Sequence, residues 1–430
     1  MARTMKDSGV EWIGLVPDNW KVLRNKNCFE LEKNIVGDAF NQYELLSLTK
    51  KGIVKKDIDN AFGKTPESYS TYQSVKKGQI VMCLFDLDIS AVFSGLSEYD
   101  GMISPAYKTY NCKKDMLNSY AKYWFEYCFD GRKYKIYSKS LRYVVNAEDF
   151  GGIEILIPPM EEQKKIVDFL DEKLYEINSI ISETQETIEQ YKKYKNAIIT
   201  ETITQGLDKE VIYRNTDIEY IETIPAHWDV LRLRFLGSCQ NGISKSSEAF
   251  GSGYPFVSYG DVYRNYELPE VIAGQIESTE CERENYSVKY GDVFFTRTSE
   301  TIEEVGFTST CLKTIENAVF AGFVIRFRPF NNEKLSPRFS KYYFRSDMHR
   351  RFFVKEMNLV TRASLSQELL KKLPVLLPPM EEQEAIADYL DAKCGEIDAL
   401  IAKKEAFIEE METYKKSLVY EYVTGKKEVV

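Results

Sequence analysis

Two stretches of this 430-residue chain gather side chains suited to holding phosphate and reading base edges. Gly131 to Val145, GRKYKIYSKSLRYVV, supplies Arg132, Lys133, Lys135, Lys139 and Arg142 among tyrosines. A later stretch supplies Arg338, Lys341, Arg345, Arg350, Arg351, Lys355 and Arg362, and a shift of 220 positions sets Arg362 under Arg142. Basic groups on one surface neutralise phosphates, while Arg, Lys, Ser and Thr on loops reach donors and acceptors in a groove. The same residues also fit a plainer role, as a solvated helix face with Tyr and Phe turned to the core. For any one residue the plainer role weighs more; for two clusters in register the readings balance.

Other chemistry is poorly served. The GKT at Gly63 to Thr65 has Ile58 where a phosphate-binding loop needs glycine. Only two histidines are present, His227 and His349, and neither lies in an HExxH pattern, which excludes a His-rich metal site. There is no Gly-rich strand-to-helix turn for S-adenosylmethionine or a dinucleotide, and no Asn/Asp-Pro-Pro-aromatic tetrad of an amino-methyltransferase. Eight cysteines without a CxxC pair predict reduced, mostly buried thiols rather than disulfides or zinc. Catalysis by this chain alone, a bound metal and a bound cofactor are therefore not expected. The opening MARTMKDSGVEW lacks a signal-peptide core, and no apolar run is long enough to span a bilayer. A cytoplasmic protein without membrane contact is expected.

The elements that position the basic stretches are duplicated. IPPMEEQKKIVDFLD, Ile157 to Asp171, returns as LPPMEEQEAIADYLD, Leu377 to Asp391. Paired prolines followed by Glu161 and Glu162, or Glu381 and Glu382, put negative charge at the positive end of a helix dipole. Beyond each start runs an apolar stripe stepping by three and four: Ile177, Ile181, Thr184, Ile188, Tyr191, Tyr194 and Ile198, then Ile397, Ile401, Ile408, Met411, Tyr414 and Leu418. That spacing predicts a coiled-coil seam in which the two copies pack on each other, leaving an acidic face for a partner. A second duplication precedes the variable blocks, VEWIGLVPDNWKVLR from Val10 and IEYIETIPAHWDVLR from Ile218.

Within the blocks, QIVMCLF (79–85), DVFFT (292–296) and GFVIRFRP (322–329) read as strands. SYAKYWFEYCFD (119–130) and FSKYYFRSDMHRRFFVKEM (339–357) read as helices. The formal net charge of −9 is unevenly spread. Residues 158–205 carry 6 basic against 10 acidic groups and 378–430 carry 7 against 13, whereas the blocks 1–157 (22 against 20) and 206–377 (22 against 23) are near neutral. The acidity thus belongs to the helices, not to the blocks.

The twice-used PPMEEQ heading a long helix, the W-x-V-L-R frames and the two divergent blocks resemble the specificity subunit of type I restriction-modification systems. The resemblance covers essentially the whole chain. It implies an α+β architecture: two mixed α/β target recognition domains in pseudo-twofold repeat, joined by two long helices forming an antiparallel coiled coil. The boundaries would be 1–157 and 206–377 for the two recognition domains, and 158–205 and 378–430 for the central and distal helices. It further implies that each block reads half of a bipartite target in double-stranded DNA, with the helices setting the gap and docking two methyltransferase subunits. S-adenosylmethionine would sit on those partners, and ATP with Mg on restriction/translocase subunits.

The DNA-contacting residues expected under this resemblance are Thr49, Lys50, Lys51, Ser104, Tyr107, Arg142 and Tyr143 in the first block. In the second they are Tyr259, Arg264, Arg297, Thr298, Arg362 and Ser364; for Tyr107 and Tyr259 a core role competes. Two other functions share these features: a coiled-coil adaptor whose ends bind proteins, and the specificity subunit of a type II restriction-methylation enzyme.

Overall fold

The structure is a computed structural model, and it describes residues 3–56, 68–87, 90, 92–138, 144–299, 305–356 and 363–429. The chain divides into two compact units, Met1–Thr184 with Glu405–Val430, and Gln185–Lys404. This division falls inside both long helices, Met160–Gln205 and Met380–Val423.

In the first unit the frame after Trp20 forms the strand Lys21–Arg24, paired antiparallel with Glu154–Ile157. Between them lies a four-stranded antiparallel sheet in the spatial order Phe29–Glu32, Lys108–Cys112, Ile80–Met82, Ser94–Leu96. The central strand splits its side chains by the two-residue period of a strand. Ile80 and Met82 enter the main core with Trp20, Trp124 and Phe150, while Val81 enters a smaller core with Leu46, Leu48 and Ile103. An all-apolar run is needed because both faces are covered.

The second unit repeats this design. Asp229–Arg232 pairs antiparallel with Pro374–Leu377, and the sheet order is Gly237–Asn241, Val324–Pro329, Val293–Thr296, Thr308–Thr310. Its central strand splits in the same way: Val293 and Phe295 join the core of Trp228, and Phe294 joins that of Phe320. The duplication evident in the frames therefore extends to sheet topology in blocks whose sequences have diverged.

The amphipathic stretch expected as a helix over 119–130 forms the helix Asn118–Asp130. The second such stretch does not form one helix over 339–357 but two, Pro337–Tyr343 and Met348–Glu356. The break has a local cause. The Ser346 hydroxyl donates to the Tyr343 carbonyl at 2.9 Å, competing with helical bonding, and Arg345 turns inward to backbone carbonyls.

Both long helices begin at the methionine after the paired prolines. In the first unit, Ile177, Ile181 and Leu418 are buried in the core, with Ile408 and Met411 half-buried against it and Phe169 packed on Tyr422 at 4.4 Å. In the second unit, Ile188, Ile397 and Ile401 are buried, Tyr191 and Ile198 are half-buried, and Lys195 pairs with Asp398 at 2.6 Å. Tyr194 and Tyr414, placed on the stripe by spacing, instead face outward. Their hydroxyls keep solvent at the rim of the stripe. All eight cysteines are unpaired and five are buried; burial pushes the Cys28 thiol up to about 11. No described helix is long and apolar enough to cross a membrane.

Candidate nucleic-acid interface

In the second block three expected residues come together. The central strand Val293–Thr296 runs out into Arg297 and Thr298, and Thr298–Ser299 pairs antiparallel with Ala363–Ser364, setting Thr298 opposite Ser364. The Arg297 carbonyl accepts from the Leu365 N–H at 2.7 Å, while its own N–H donates to the Phe323 carbonyl at 2.9 Å. Three chain segments are thus tied at one sheet end, with Arg297 and Thr298 half-buried and Ser364 exposed. Arg362 lies outside the described residues.

Tyr259 and Arg264 occupy a neighbouring short helix, Tyr259–Arg264, which packs beside the central strand. Ser258 caps it, accepting from the Asp261 N–H in a reciprocal capping box. The Tyr259 ring stacks on Tyr263 at 5.9 Å, whereas Arg264 is exposed. Tyr259 therefore packs against its own helix and Arg264 is the available donor.

In the first block the hairpin Leu46–Thr49 to Gly52–Lys55 carries Lys50 and Lys51 at its exposed tip. The Thr49 hydroxyl is already engaged: it donates to the Gly52 carbonyl at 2.9 Å and accepts from the Lys51 N–H at 3.2 Å. Gly52 has φ of +96°, a conformation that favours glycine, and so closes the turn. Ser104 opens a neighbouring turn, where its hydroxyl accepts from the Ala106 N–H at 3.4 Å. Tyr107 packs on Phe85 at 5.9 Å beside the smaller core, and burial, with Cys83 next in effect, raises its phenol. Lys50 and Lys51 are exposed cations at the hairpin tip; Tyr107 serves packing. Arg142 and Tyr143 lie outside the described residues.

Much of the expected basic surface is committed internally. Arg338 bonds Glu384, Asp388 and Asp391. Buried Lys341 reaches Asp391 at 2.7 Å and Glu267 at 3.2 Å. Arg345 donates to the carbonyls of Val262, Thr308 and Tyr263, and burial lowers its pKa. Burial alone would push Asp391 up, but hydrogen bonds from Lys341, Arg338 and Tyr342 outweigh it and hold the carboxyl below its usual range. In the first block Arg132 bonds the Leu87 carbonyl and the Tyr134 hydroxyl, each at 2.7 Å. For Arg338, Lys341, Arg345 and Arg132 these pairings favour the plainer structural role over phosphate binding: an arginine or lysine already paired with carboxylates or carbonyls has few donors left. Arg351 remains exposed. Glu384, Asp388 and Asp391, at helical spacing on one face, were the legible signal for this arrangement.

The PPMEEQ motif is a clamp. Glu162 accepts from the Trp20 indole at 3.0 Å, and Glu382 accepts from the Trp228 indole at 3.1 Å. Gln163, fully buried, accepts from the Leu117 N–H and donates to the carbonyls of Asp115 and Pro158. Gln383 repeats this with the Ser336 N–H and the carbonyls of Lys334 and Pro378. Each tryptophan also meets a glycine just past the other long helix: Gly425 lies against Trp20 and Gly206 against Trp228. The motif thus joins frame, block and helix within each unit.

A family model described as the type I restriction modification DNA specificity domain matches residues 17–190 and 225–410. The type I restriction enzyme MjaVIII specificity subunit of Methanocaldococcus jannaschii is 26% identical over 287 residues, covering 66% of this chain and 64% of the relative. The EcoKI specificity subunit of Escherichia coli strain K12 is 27% identical over 250 residues, covering 56% and 51%. The matches thus span between about half and two thirds of these curated relatives. A chain solved in work on complex assembly and conformational transition of the type I R-M system shares the fold, with a TM-score of 0.69 at 16% identity over 96% of this chain and 99% of that one. With its domain matched twice, over most of the sequence and on the two sheets of identical strand order, the chain belongs to the type I restriction modification DNA specificity family.

Proposed function

We propose that this chain is the non-catalytic DNA-reading subunit of a type I restriction-modification complex, acting in the cytoplasm. Each block reads one half-site of a split target in double-stranded DNA, and the two long helices run antiparallel as the spacer. A helix of 46 residues is about 69 Å long at ~1.5 Å per residue, twice the roughly 34 Å of one duplex turn. The acidic helix faces dock two methyltransferase subunits, which hold S-adenosylmethionine; restriction/translocase subunits bring ATP and Mg.

The observation that carries this reading is the specificity domain matched twice, each copy built on a sheet of the same strand order. The first block offers Lys50 and Lys51; the second offers Arg297, Thr298 and Ser364 in one place with Arg264 near. Both blocks are close to neutral in total, so the partners supply much of the phosphate contact. Sequencing modified bases in the host genome, with this gene intact and deleted, tests the proposal. One split motif, two short half-sites around a fixed gap, is expected to lose its methyl-adenine on deletion. An unchanged set of marks overturns the reading.

A further inference from the structure

Phe323 holds its ring 64% exposed on a mount with little freedom. It follows Gly322, where a Cβ would fall 2.3 Å from the Ser244 hydroxyl and 3.0 Å from the Ile243 carbonyl, so any side chain there would displace Ser244 and crowd the Ile243 backbone. The Gly322 N–H donates to Ile243 at 2.7 Å, the Ala321 N–H to Val257 at 3.0 Å, and the Phe323 carbonyl accepts from Arg297 at 2.9 Å. Three separate segments therefore fix the turn. A single exposed apolar residue is ordinary. An exposed ring fixed in this way, and bonded through its backbone to the strand end that carries Arg297, Thr298 and Ser364, is built for contact.

The two blocks support this by comparison. Phe323 directly precedes the strand Val324–Pro329, as Tyr107 directly precedes Lys108–Cys112, and these strands hold the same place in the two sheets. The first block turns its ring inward onto Phe85; the second leaves its ring outward. We propose that Phe323 is a specificity-determining residue of the second block, packing on the C5-methyl group of a thymine in the half-site that block reads. This rests on the DNA-reading function proposed above. The flanking hydroxyl and guanidinium groups suit the major groove, where the thymine methyl is the apolar feature a phenyl ring can recognise.

The test uses the complex assembled with its methyltransferase subunits and a duplex bearing its target. Each thymine of both half-sites is replaced singly by deoxyuridine, which removes only the methyl group. One replacement is expected to weaken wild-type binding about fourfold, the effect of one buried carbon. Phe323→Ala is expected to bind both duplexes equally, and Phe323→Leu to keep the sensitivity; unchanged melting of both variants shows that the mount is intact. The inference is overturned if no replacement matters or if the sensitivity survives in Phe323→Ala. It is equally overturned if 2-aminopurine fluorescence shows the ring unstacking a base step, the signature of a wedge. Failure of the wild-type complex to tell its target from scrambled DNA would instead overturn the function itself.

Discussion

The Trp228 indole N–H donates to the Glu382 carboxylate at 3.1 Å, joining the frame of the second block to the first turn of the helix that leaves it. A hydrogen bond to a charged acceptor contributes about 1.5–3 kcal/mol. Trp228→Phe is expected to destabilise the second unit by roughly that amount. Trp12, Trp20 and Trp124 all lie in the first unit, so their fluorescence remains to report it during thermal unfolding while circular dichroism follows the whole.

Gln383→Leu conserves volume but strands the Ser336 N–H and leaves the carbonyls of Lys334 and Pro378 without their donor. A cost of about 2–5 kcal/mol is expected, because buried polar groups lose partners with no water to replace them. Urea denaturation measures it, and Gln163→Leu is expected to behave alike in the first unit.

Arg345→Ala separates structural cations from reading ones. Three carbonyls lose their shared donor, and a destabilisation of about 2–4 kcal/mol is expected, with sequence preference unchanged in the assembled complex. Arg297→Ala is expected to do the reverse, weakening discrimination at one half-site by about 1–3 kcal/mol while melting stays near wild type. Fluorescence anisotropy on targets altered in one half-site at a time reads both. Methylation of both half-sites at the normal rate in Arg297→Ala would remove that residue from the interface.

Lys51→Ala is expected to weaken binding to target and non-target DNA alike and to lower the salt slope by about 1, as loss of a phosphate contact does. The isolated chain is expected to bind weakly at physiological salt. Salt titrations of the complex and of the chain alone measure both effects.

Asp391 sets an acid limit on the second unit. Its carboxyl is held below the usual range by Lys341, Arg338 and Tyr342 against the opposing effect of burial. A depressed carboxylate contributes stability that is complete above its unfolded value, about 3.9, and is lost as pH falls through the lower folded value. Asp391→Asn is therefore expected to be less stable than wild type at neutral pH, with the gap closing below about pH 4. Chemical denaturation at stepped pH checks the sign.

The frames and helix starts were legible in the sequence because they are local: paired prolines, acidic first turns and repeated W-x-V-L-R need only neighbours to be read. The role of Glu162 was not, since its partner Trp20 lies 142 positions away and a dipole argument explained the glutamate equally well. The strands Ile80–Met82 and Val293–Thr296 were visible as apolar runs, but their splitting between two cores was not. In the site, charge alone suggested Arg338 and Lys341 as phosphate ligands; the acidic helix face that takes them becomes a neighbour only on folding. Arg297, Thr298 and Ser364 were named from loop chemistry, and the pairing of Thr298 with Ser364 is a long-range contact that no local pattern encodes.

The first unit closes on residues made very late in synthesis. The Tyr120 hydroxyl donates to the Val423 carbonyl, 303 positions later, Lys426 reaches the Leu15 carbonyl, and Gly425 packs on Trp20. On the ribosome, residues 1–184 must therefore wait, incompletely sealed, until the stretch around Val423 emerges, while residues 185–404 already have every segment of their own unit. A nonsense codon near position 405 would thus damage the block translated first and spare the one translated second.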